Sequence, residues 1–135
     1  MTEMTARHRV PVRIFESSKD ASRAVAHRIA ELIRGKAADG EACVLGLATG
    51  STPINIYQEL IRMRREEGLD FGNVITFNLD EYWGIAPEAI QSYWMWMHEN
   101  FFNYVNVPAA NVNIPSGLVS EADCDAHCAD YEQRI

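Results

Sequence analysis

The sequence has few cysteines and no long apolar run. Only three cysteines occur in 135 residues, Cys43, Cys124 and Cys128, and this odd and sparse set argues against a disulfide framework. No stretch approaches the roughly 20 consecutive apolar residues of a membrane helix. The first nine residues contain no apolar segment of the kind found in secretory signals. We therefore expect a cytoplasmic protein that does not act in a membrane.

Basic residues are scarce in the second half of the chain. Residues 1–65 contain 11 Lys and Arg against 7 acidic residues, whereas residues 66–135 contain only Arg134 against 12. The net charge of −7 predicts no nucleic-acid partner, because such binding depends on neutralising phosphates with Lys and Arg. No Lys or Arg lies between Lys36 and Arg62. A cation for any anion bound in that segment has to come from elsewhere in the fold, or is absent.

Apolar periodicity predicts alternating strands and helices. The length is that of one domain, and the 47% hydrophobic content is enough for a core. Strands are predicted at 11–15, 43–48, 73–79 and 112–114, and helices at 17–33, 53–67, 92–104 and from about 120. This alternation is typical of the α/β class, and we expect a three-layer Rossmann-like fold with a mainly parallel sheet. The inward stripe of the first helix is predicted to include Ala21, Val25, Ile29 and Leu32.

The last predicted helix has no capping signal and no strand after it. The sequence stops at Ile135, inside an amphipathic pattern. We therefore expect residues 1–135 to be the N-terminal part of a single α/β domain whose C-terminal part is missing, that is, a fragment.

A run of hydroxylated residues and glycine follows the second predicted strand. It consists of Thr49, Gly50, Ser51 and Thr52, and a helix is predicted to begin directly afterwards at Pro53. Such a unit points backbone N–H groups and a helix N-terminus at one place, where an anion is favoured. Thr52 is placed to cap the helix, and Pro53 suits its first turn. The run predicts a phosphate site, with a purely structural turn as the alternative.

Two adjacent carboxylates follow the third predicted strand. Asp80 and Glu81 come directly after the apolar run that ends at Leu79. Because ligands bind at the carboxyl edge of a parallel sheet, both motifs should face one crevice. Side chains alternate along a strand, so we expect one carboxylate inside the crevice and one outside it. A carboxylate beside a phosphosugar could act as a general base; alternatively, Asp80 or Glu81 caps the next turn.

Together the two motifs resemble the signatures of the glucosamine-6-phosphate deaminase family. The first is Leu-Gly-Leu-Ala-Thr-Gly-Ser-Thr-Pro at 45–53, and the second is Val-Ile-Thr-Phe-Asn-Leu-Asp-Glu-Tyr-Trp-Gly at 74–84. The likeness continues through Ser92-Tyr93, 97–102 and 111–115, and covers nearly the whole chain from about Ile14. Two motifs in the right order and spacing are more specific than either one alone.

The resemblance implies an enzyme without a cofactor. Its reaction would convert glucosamine 6-phosphate and water to fructose 6-phosphate and ammonia through an aldose–ketose isomerisation. By position, Asp80 matches the base that moves a proton between C2 and C1 of the open-chain sugar. Residues 49–52 match the loop that holds the 6-phosphate, and Glu81 is predicted to contribute to substrate binding. The expected partners are the phosphorylated amino sugar and, as in many members, further copies of the chain in a homo-oligomer.

The sequence departs from the family in two respects. The ring-opening Asp, His and Glu of a motif like D-G-H-x-A-F-N-E-P are not found in these 135 residues, and neither are the basic residues that clamp phosphate. We therefore expect the isolated chain not to turn over substrate. Many members have His-Pro-Glu-Ser-Tyr where this chain has Ala-Ile-Gln-Ser-Tyr at 89–93. That variant resembles deaminase-like proteins, so the identity of the amino-sugar substrate is left open.

Two other functions stay open as alternatives. A hydrolase like 6-phosphogluconolactonase shares the fold and the phosphate loop, but that family typically has Arg after its Asp-Glu pair, whereas Tyr82 follows here. A non-catalytic sugar-phosphate sensor domain would be expected to carry a DNA-binding helix-turn-helix, and none is apparent in the sequence.

Two groups of potential ligands have more ordinary explanations. Cys124, His127 and Cys128 fall on one helical face, but a structural zinc site needs four ligands, so we predict no metal site. His98 has no nucleophile or carboxylate beside it in the sequence, and we expect a structural role. The aromatic residues between 93 and 102 are predicted to lie mostly in the core.

Overall fold

Strands and helices alternate along the chain. The computed structural model describes residues 10–135. Within them, the helices are α1 (Ser18–Ala38), α2 (Ile54–Glu67), α3 (Tyr93–Asn100) and α4 (Cys124–Arg134), and the strands are β1 (Cys43–Leu47), β2 (Val74–Asn78) and β3 (Val112–Asn113). Short 3-10 turns occupy 102–104, 109–111 and 121–123. None of the helices in this part of the chain combines the length and apolar character needed to span a membrane.

The three strands form one parallel sheet in the order β1-β2-β3. Leu47 is in register with Asn78, the last residue of β2. The segments that follow β1 and β2 therefore leave the sheet side by side, since neighbouring strands lie about 4.8 Å apart. The predicted α/β class with a parallel sheet is confirmed.

Helices cover both faces of the sheet. Cys43, Leu47 and Val74 point from one face into a core that α1, α2 and α3 complete. On the other face, the Phe77 ring of β2 meets the Tyr131 ring of α4 edge to face, with 5.8 Å between the ring centroids. The predicted three-layer arrangement is confirmed.

The strand predicted at 11–15 is absent, since this segment is irregular in the described chain. Its apolar residues alternate as in a strand, yet Val10, Val12 and Ile14 are 69%, 40% and 60% exposed. Within the described residues, this segment has neither a packed face nor a neighbouring strand. The prediction of a strand at 11–15 was therefore wrong.

The inward face of α1 differs from the predicted stripe. The buried residues of this helix are Ala26, Ala30 and Ile33. Of the predicted stripe, Ile29 packs partly buried against the core and Ala21 is half-buried, whereas Val25 and Leu32 are 44% and 42% exposed. The prediction is therefore confirmed at Ile29 and wrong at Val25 and Leu32. Alanine at two of the contact positions lets α1 lie close to α2, and the sequence pattern alone favoured the larger apolar side chains.

Most helices begin and end close to where the sequence predicts. The backbone N–H of Asp20 donates to the Ser17 side chain at the start of α1, and that of Met95 donates to the Ser92 side chain at the start of α3. Gly68 ends α2 with φ of +67°. The predicted 92–104 helix is interrupted at Phe101 and continues as a 3-10 turn.

Candidate active site

The hydroxylated run forms the connection from β1 to α2. Gly50 has φ of +97°, a conformation that favours glycine because a Cβ would be strained there. Gly50, Ser51 and Thr52 are exposed and Thr49 is half-buried. The predicted Thr52 cap is wrong: Pro53 occupies the N-cap position of α2, and no side chain caps the helix. The first N–H groups of α2 thus have no side-chain acceptor, which suits an anion.

Two buried polar side chains fix the start of this loop. The Tyr57 hydroxyl of α2 donates to the carbonyl of Ala48 at 2.6 Å, directly before the run. The Asn78 side chain donates to the carbonyl of Leu47 at 3.2 Å. Burial raises the pKa of Tyr57 to about 12, so this hydroxyl keeps its proton and remains a donor at neutral pH. The loop is therefore attached both to the helix that follows it and to the neighbouring strand.

Asp80 lies exposed just beyond the end of β2. Its carboxylate lines a cavity of about 280 Å³ between the segment 79–83 and α4. Among the described residues, no hydrogen bond engages this carboxylate. Other residues of the cavity wall are Leu79, Trp83, Pro115, Ser116, Val119, Cys124, His127, Cys128, Tyr131 and Glu132.

Glu81 is oriented differently from Asp80. Its Oε1 accepts the backbone N–H groups of Tyr82 and Tyr93, both at 2.9 Å, and its Oε2 accepts that of Trp94 at 3.0 Å. Negative charge is favourable at the N-terminus of a helix such as α3. Of the two alternatives for this pair, Glu81 therefore takes the capping position and Asp80 keeps a free carboxylate.

The Tyr93 hydroxyl contacts the turn that carries Asp80. It donates to the Tyr82 hydroxyl at 3.2 Å. This bond raises the pKa of Tyr93, and the negative charge of Asp80 acts in the same direction. The Tyr93 side chain is therefore part of the polar surroundings of Asp80.

Sequence reasoning had not selected Tyr93 as a site residue, because an aromatic side chain at the start of a helix is usually part of the core. A usable signal was the Ser92-Tyr93 pair that takes part in the family resemblance.

The two motifs line separate hollows within the described chain. Ser51 and Thr52 border a groove of about 400 Å³ against the first turns of α1, including Ser18 and Ser22. The Asp80 cavity does not include them. The two motifs thus lie at the same sheet edge, and the described residues do not enclose them in one cavity.

The side chains around Asp80 are acidic rather than basic. Glu81 and Glu132 line its cavity together with Asp80, and no Lys or Arg of the described chain does. Lys19 and Arg23 of α1 line a different groove, which shares Asn55 with the one beside Ser51. Arg62 and Arg65 of α2 line the same groove as Lys19 and Arg23, whereas no Lys or Arg of the described residues lines the groove beside Ser51.

The segment after Asp80 is held by the turn that precedes α4. Trp83 donates from its ring nitrogen to the carbonyl of Val119 at 2.8 Å, and the Gly84 N–H donates to the carbonyl of Gly117 at 2.6 Å. A Cβ on Gly117 would lie 2.4 Å from the carbonyl oxygen of Tyr82. Glycine is therefore required where these two segments cross.

His98 and His127 are engaged in packing and backbone contacts. His98 stacks on Trp94 with 3.8 Å between ring centroids and bonds the Trp94 carbonyl through Nδ1. His127 Nε2 accepts the N–H of Ser116 at 3.2 Å. Within residues 10–135, no group of three or more His, Cys, Asp or Glu side chains has the arrangement of a metal site.

Comparison with known proteins gives consistent matches to one family. The profile described as "Glucosamine-6-phosphate isomerases/6-phosphogluconolactonase" matches residues 16–135. Glucosamine-6-phosphate deaminase 2 of Giardia intestinalis is 52% identical over 122 residues, which make up 90% of this chain and 44% of that protein. The chain therefore spans less than half the length of this curated relative.

Solved structures show the same relationship. A monomeric glucosamine-6-phosphate deaminase superposes with a TM-score of 0.81 at 36% identity, over 90% of this chain and 48% of that structure. The 6-phosphogluconolactonase of Thermotoga maritima superposes with a TM-score of 0.67 at 18% identity, over 90% of this chain and 51% of that structure. At this lower identity the likeness shows the fold alone.

Proposed function

The chain belongs to the family of glucosamine-6-phosphate isomerases and 6-phosphogluconolactonases, and from this premise we propose that it is part of an amino-sugar phosphate deaminase-isomerase. The proposed reaction converts glucosamine 6-phosphate and water to fructose 6-phosphate and ammonia. The observation that carries the proposal is that Asp80, which no hydrogen bond engages among the described residues, follows β2 at the sheet edge where the loop 49–52 follows β1, with Leu47 in register with Asn78. The relatives with high identity are named deaminases, whereas the lactonase likeness extends only to the fold.

Asp80 is the proposed base. In the open-chain aldose, it takes the proton from C2, and the electron pair forms a C1–C2 double bond while the C1 carbonyl oxygen takes up a proton. The base then delivers its proton to C1, and the amino nitrogen loses a proton as the C2 imine forms, which balances the one gained by the oxygen. The imine takes up water and releases ammonia, so that C1 is reduced and C2 oxidised within one molecule. A carboxylate that accepts no hydrogen bond from its neighbours is available for this proton transfer.

Residues 49–52 are the proposed phosphate loop. Ser51 and Thr52 are exposed, and no side chain of the described residues caps α2. The two hydroxyls and the first N–H groups of α2 would hold the 6-phosphate while the sugar carbons extend toward Asp80. The Tyr93 hydroxyl, which donates to Tyr82 in the turn that carries Asp80, is a further proposed contact for the sugar.

The proposed role of Glu81 is to position a turn, and not to contact the substrate. Three backbone N–H groups already occupy its carboxylate. We propose that it acts by positioning the turn that carries Asp80 relative to α3, and so serves the site without binding the sugar.

The test is ammonia release by the protein that carries this chain at the length of its relatives. We expect Asp80→Asn to lower kcat by about 100-fold or more, because a general base contributes about that much, with KM changed by less than about tenfold. Asp39→Asn is the matched control, since Asp39 is an exposed carboxylate in the turn before β1, at the opposite edge of the sheet. It should leave kcat unchanged. Full activity of the Asp80 variant would refute its role as base.

A cytoplasmic location and assembly into a homo-oligomer remain predictions from the sequence and the family. The structural relative with a TM-score of 0.81 is described as monomeric, so family membership by itself does not decide the number of copies.

A further inference from the structure

Two exposed thiols lie on the wall of the Asp80 cavity. Cys124 and Cys128 occupy the first turns of α4 and are both exposed. Both line the cavity that also contains Asp80 and Trp83. The proposed deaminase reaction uses neither of them.

The two thiols are placed to act together. Residues four apart on a helix lie on the same face, with about 5–6 Å between their Cβ atoms. A negative charge on Cys128 raises the pKa of the Cys124 thiol, which is consistent with two sulfur atoms that lie close to one another.

This spacing favours a bridging atom over a direct disulfide. A disulfide needs Cβ atoms about 3.5–4.5 Å apart, which is closer than the about 5–6 Å of an i, i+4 pair on a regular helix. An atom bonded to both sulfurs lengthens the link and needs no distortion of α4.

We propose that Cys124 and Cys128 form a dithiol site for a monosubstituted trivalent arsenical, whose arsenic is soft and thiophilic. The organic substituent on the bound arsenic occupies the Asp80 cavity. In water such a compound is an R–As(OH)2. Two As–O bonds break and two As–S bonds form, and each thiol proton leaves with a hydroxide as water. Arsenic stays trivalent, so no oxidant or reductant is needed.

The donor set favours this class over zinc. Structural zinc takes four protein ligands, commonly Cys and His. Within residues 10–135, no third His, Cys, Asp or Glu side chain joins the two thiols in the arrangement of a metal site. Two thiols of this kind match a centre that brings its own third substituent.

The cavity wall suits an aromatic substituent. Leu79, Trp83 and Val119 line it together with the two cysteines, and the cavity volume of about 280 Å³ lies near the lower end of the range for small-molecule pockets. A phenyl group on the arsenic would therefore be buried against apolar side chains, whereas a methyl group would bury less surface.

The test is a titration of the 135-residue chain with phenylarsine oxide. We expect one arsenical to bind per chain. Two thiols per chain should then no longer react with a colorimetric disulfide reagent. An added dithiol should reverse the binding, whereas a monothiol at equal thiol concentration should not. Cys124→Ser and Cys128→Ser should each weaken binding by about 100-fold or more, because the second bond is lost. Cys43, a buried thiol 5% exposed, is the internal control and should not react.

Two further measurements locate the substituent. Binding should change the tryptophan fluorescence in the parent chain, and most of this change should disappear in Trp83→Phe, whereas affinity for the arsenical stays within about tenfold. Phenylarsine oxide should also bind more tightly than its methyl counterpart. Wild-type affinity in either cysteine variant would overturn the dithiol site. An unchanged fluorescence response in Trp83→Phe would overturn the placement in the cavity.

Discussion

The Glu81 carboxylate is shared between the backbone N–H groups of Tyr82, Tyr93 and Trp94. It joins the turn after β2 to the first turn of α3. Hydrogen bonds to charged groups contribute more than neutral ones, about 1.5–3 kcal/mol each when they are well formed. Glu81 is therefore expected to contribute to stability as well as to the position of Asp80.

Glu81→Gln tests this role. The amide places an N–H donor where the second carboxylate oxygen accepted from Trp94, so one bond is lost and two donors face each other. We expect a decrease of about 1–2 kcal/mol in the free energy of unfolding, measured by urea denaturation. The control is Glu88→Gln, an exposed residue of the loop before α3, which should stay within about 0.5 kcal/mol of the parent. Equal stability of both variants would contradict the capping role.

The sequence was sufficient to place Asp80 and residues 49–52 at one sheet edge, because both follow apolar runs of strand length. It left open which of the adjacent carboxylates would turn toward α3, since that choice depends on where the helix starts in space. Tyr93 could not be selected from residue chemistry alone, because a tyrosine at a helix start is usually core and its hydroxyl contact with Tyr82 depends on how α3 packs.

Helix α2 is attached to the end of β1 through Tyr57. The Tyr57 hydroxyl donates to the carbonyl of Ala48 at 2.6 Å, and its ring stacks on Phe101 with 4.8 Å between the centroids. Burial raises the pKa of Tyr57 to about 12, above its ordinary value of 10. Because the folded state disfavours the phenolate, this contribution to stability is fully present below pH 10 and is lost as the pH rises toward 12.

Alkaline unfolding of Tyr57→Phe tests this attachment. The parent should lose stability between about pH 10 and pH 12, with a slope of up to about 1.4 kcal/mol per pH unit from this one group. The phenylalanine variant keeps the ring but has no proton to lose, so its slope should be smaller over the same window. The two slopes are obtained from urea titrations at a series of pH values, and identical slopes would show that Tyr57 is not the responsible group.

The segment after β2 and the turn before α4 cross at Gly117. A Cβ there would lie 2.4 Å from the carbonyl oxygen of Tyr82 and 2.6 Å from that of Ile85. We expect Gly117→Ala to lower the free energy of unfolding by about 1–3 kcal/mol, as overpacking does. Gly46→Ala is the matched control, because a Cβ at Gly46 meets no atom within 4 Å. If both variants unfold at the same urea concentration, the crossing is not tight.

The end of α2 was predicted well, because Gly68 follows its last residue, Glu67, as expected. Two of the failures share one cause. Residues 11–15 alternate like a strand, and Val25 and Leu32 look like helix contacts, yet the surfaces they would pack on are not supplied by the described chain. Periodicity reports which side chains are apolar, whereas burial depends on which partner surface is present.

The molecule as a whole separates its charge between two halves that meet at the candidate site. The loop 49–52 comes from the base-rich half and Asp80 from the acid-rich half. Glu81 and Glu132 line the cavity beside Asp80, and their negative charges disfavour a phosphate dianion on that side. If the proposed function is correct, we expect the phosphosugar to bind with its phosphate at the loop before α2 and its reacting carbons toward Asp80.

The most direct test of this account is a calorimetric titration of the 135-residue chain with glucosamine 6-phosphate, with glucosamine and inorganic phosphate as ligand controls. We expect the phosphosugar to bind at least about tenfold more tightly than either control, a difference of about 1.4 kcal/mol. Gly50→Ala should abolish this preference by straining the loop, whereas Gly40→Ala should not. Gly40 has a similar positive φ of +72° but lies before β1, at the opposite edge of the sheet. Selective binding that is lost only in Gly50→Ala is the predicted result, and a folded chain that binds the phosphosugar no better than phosphate would contradict the account.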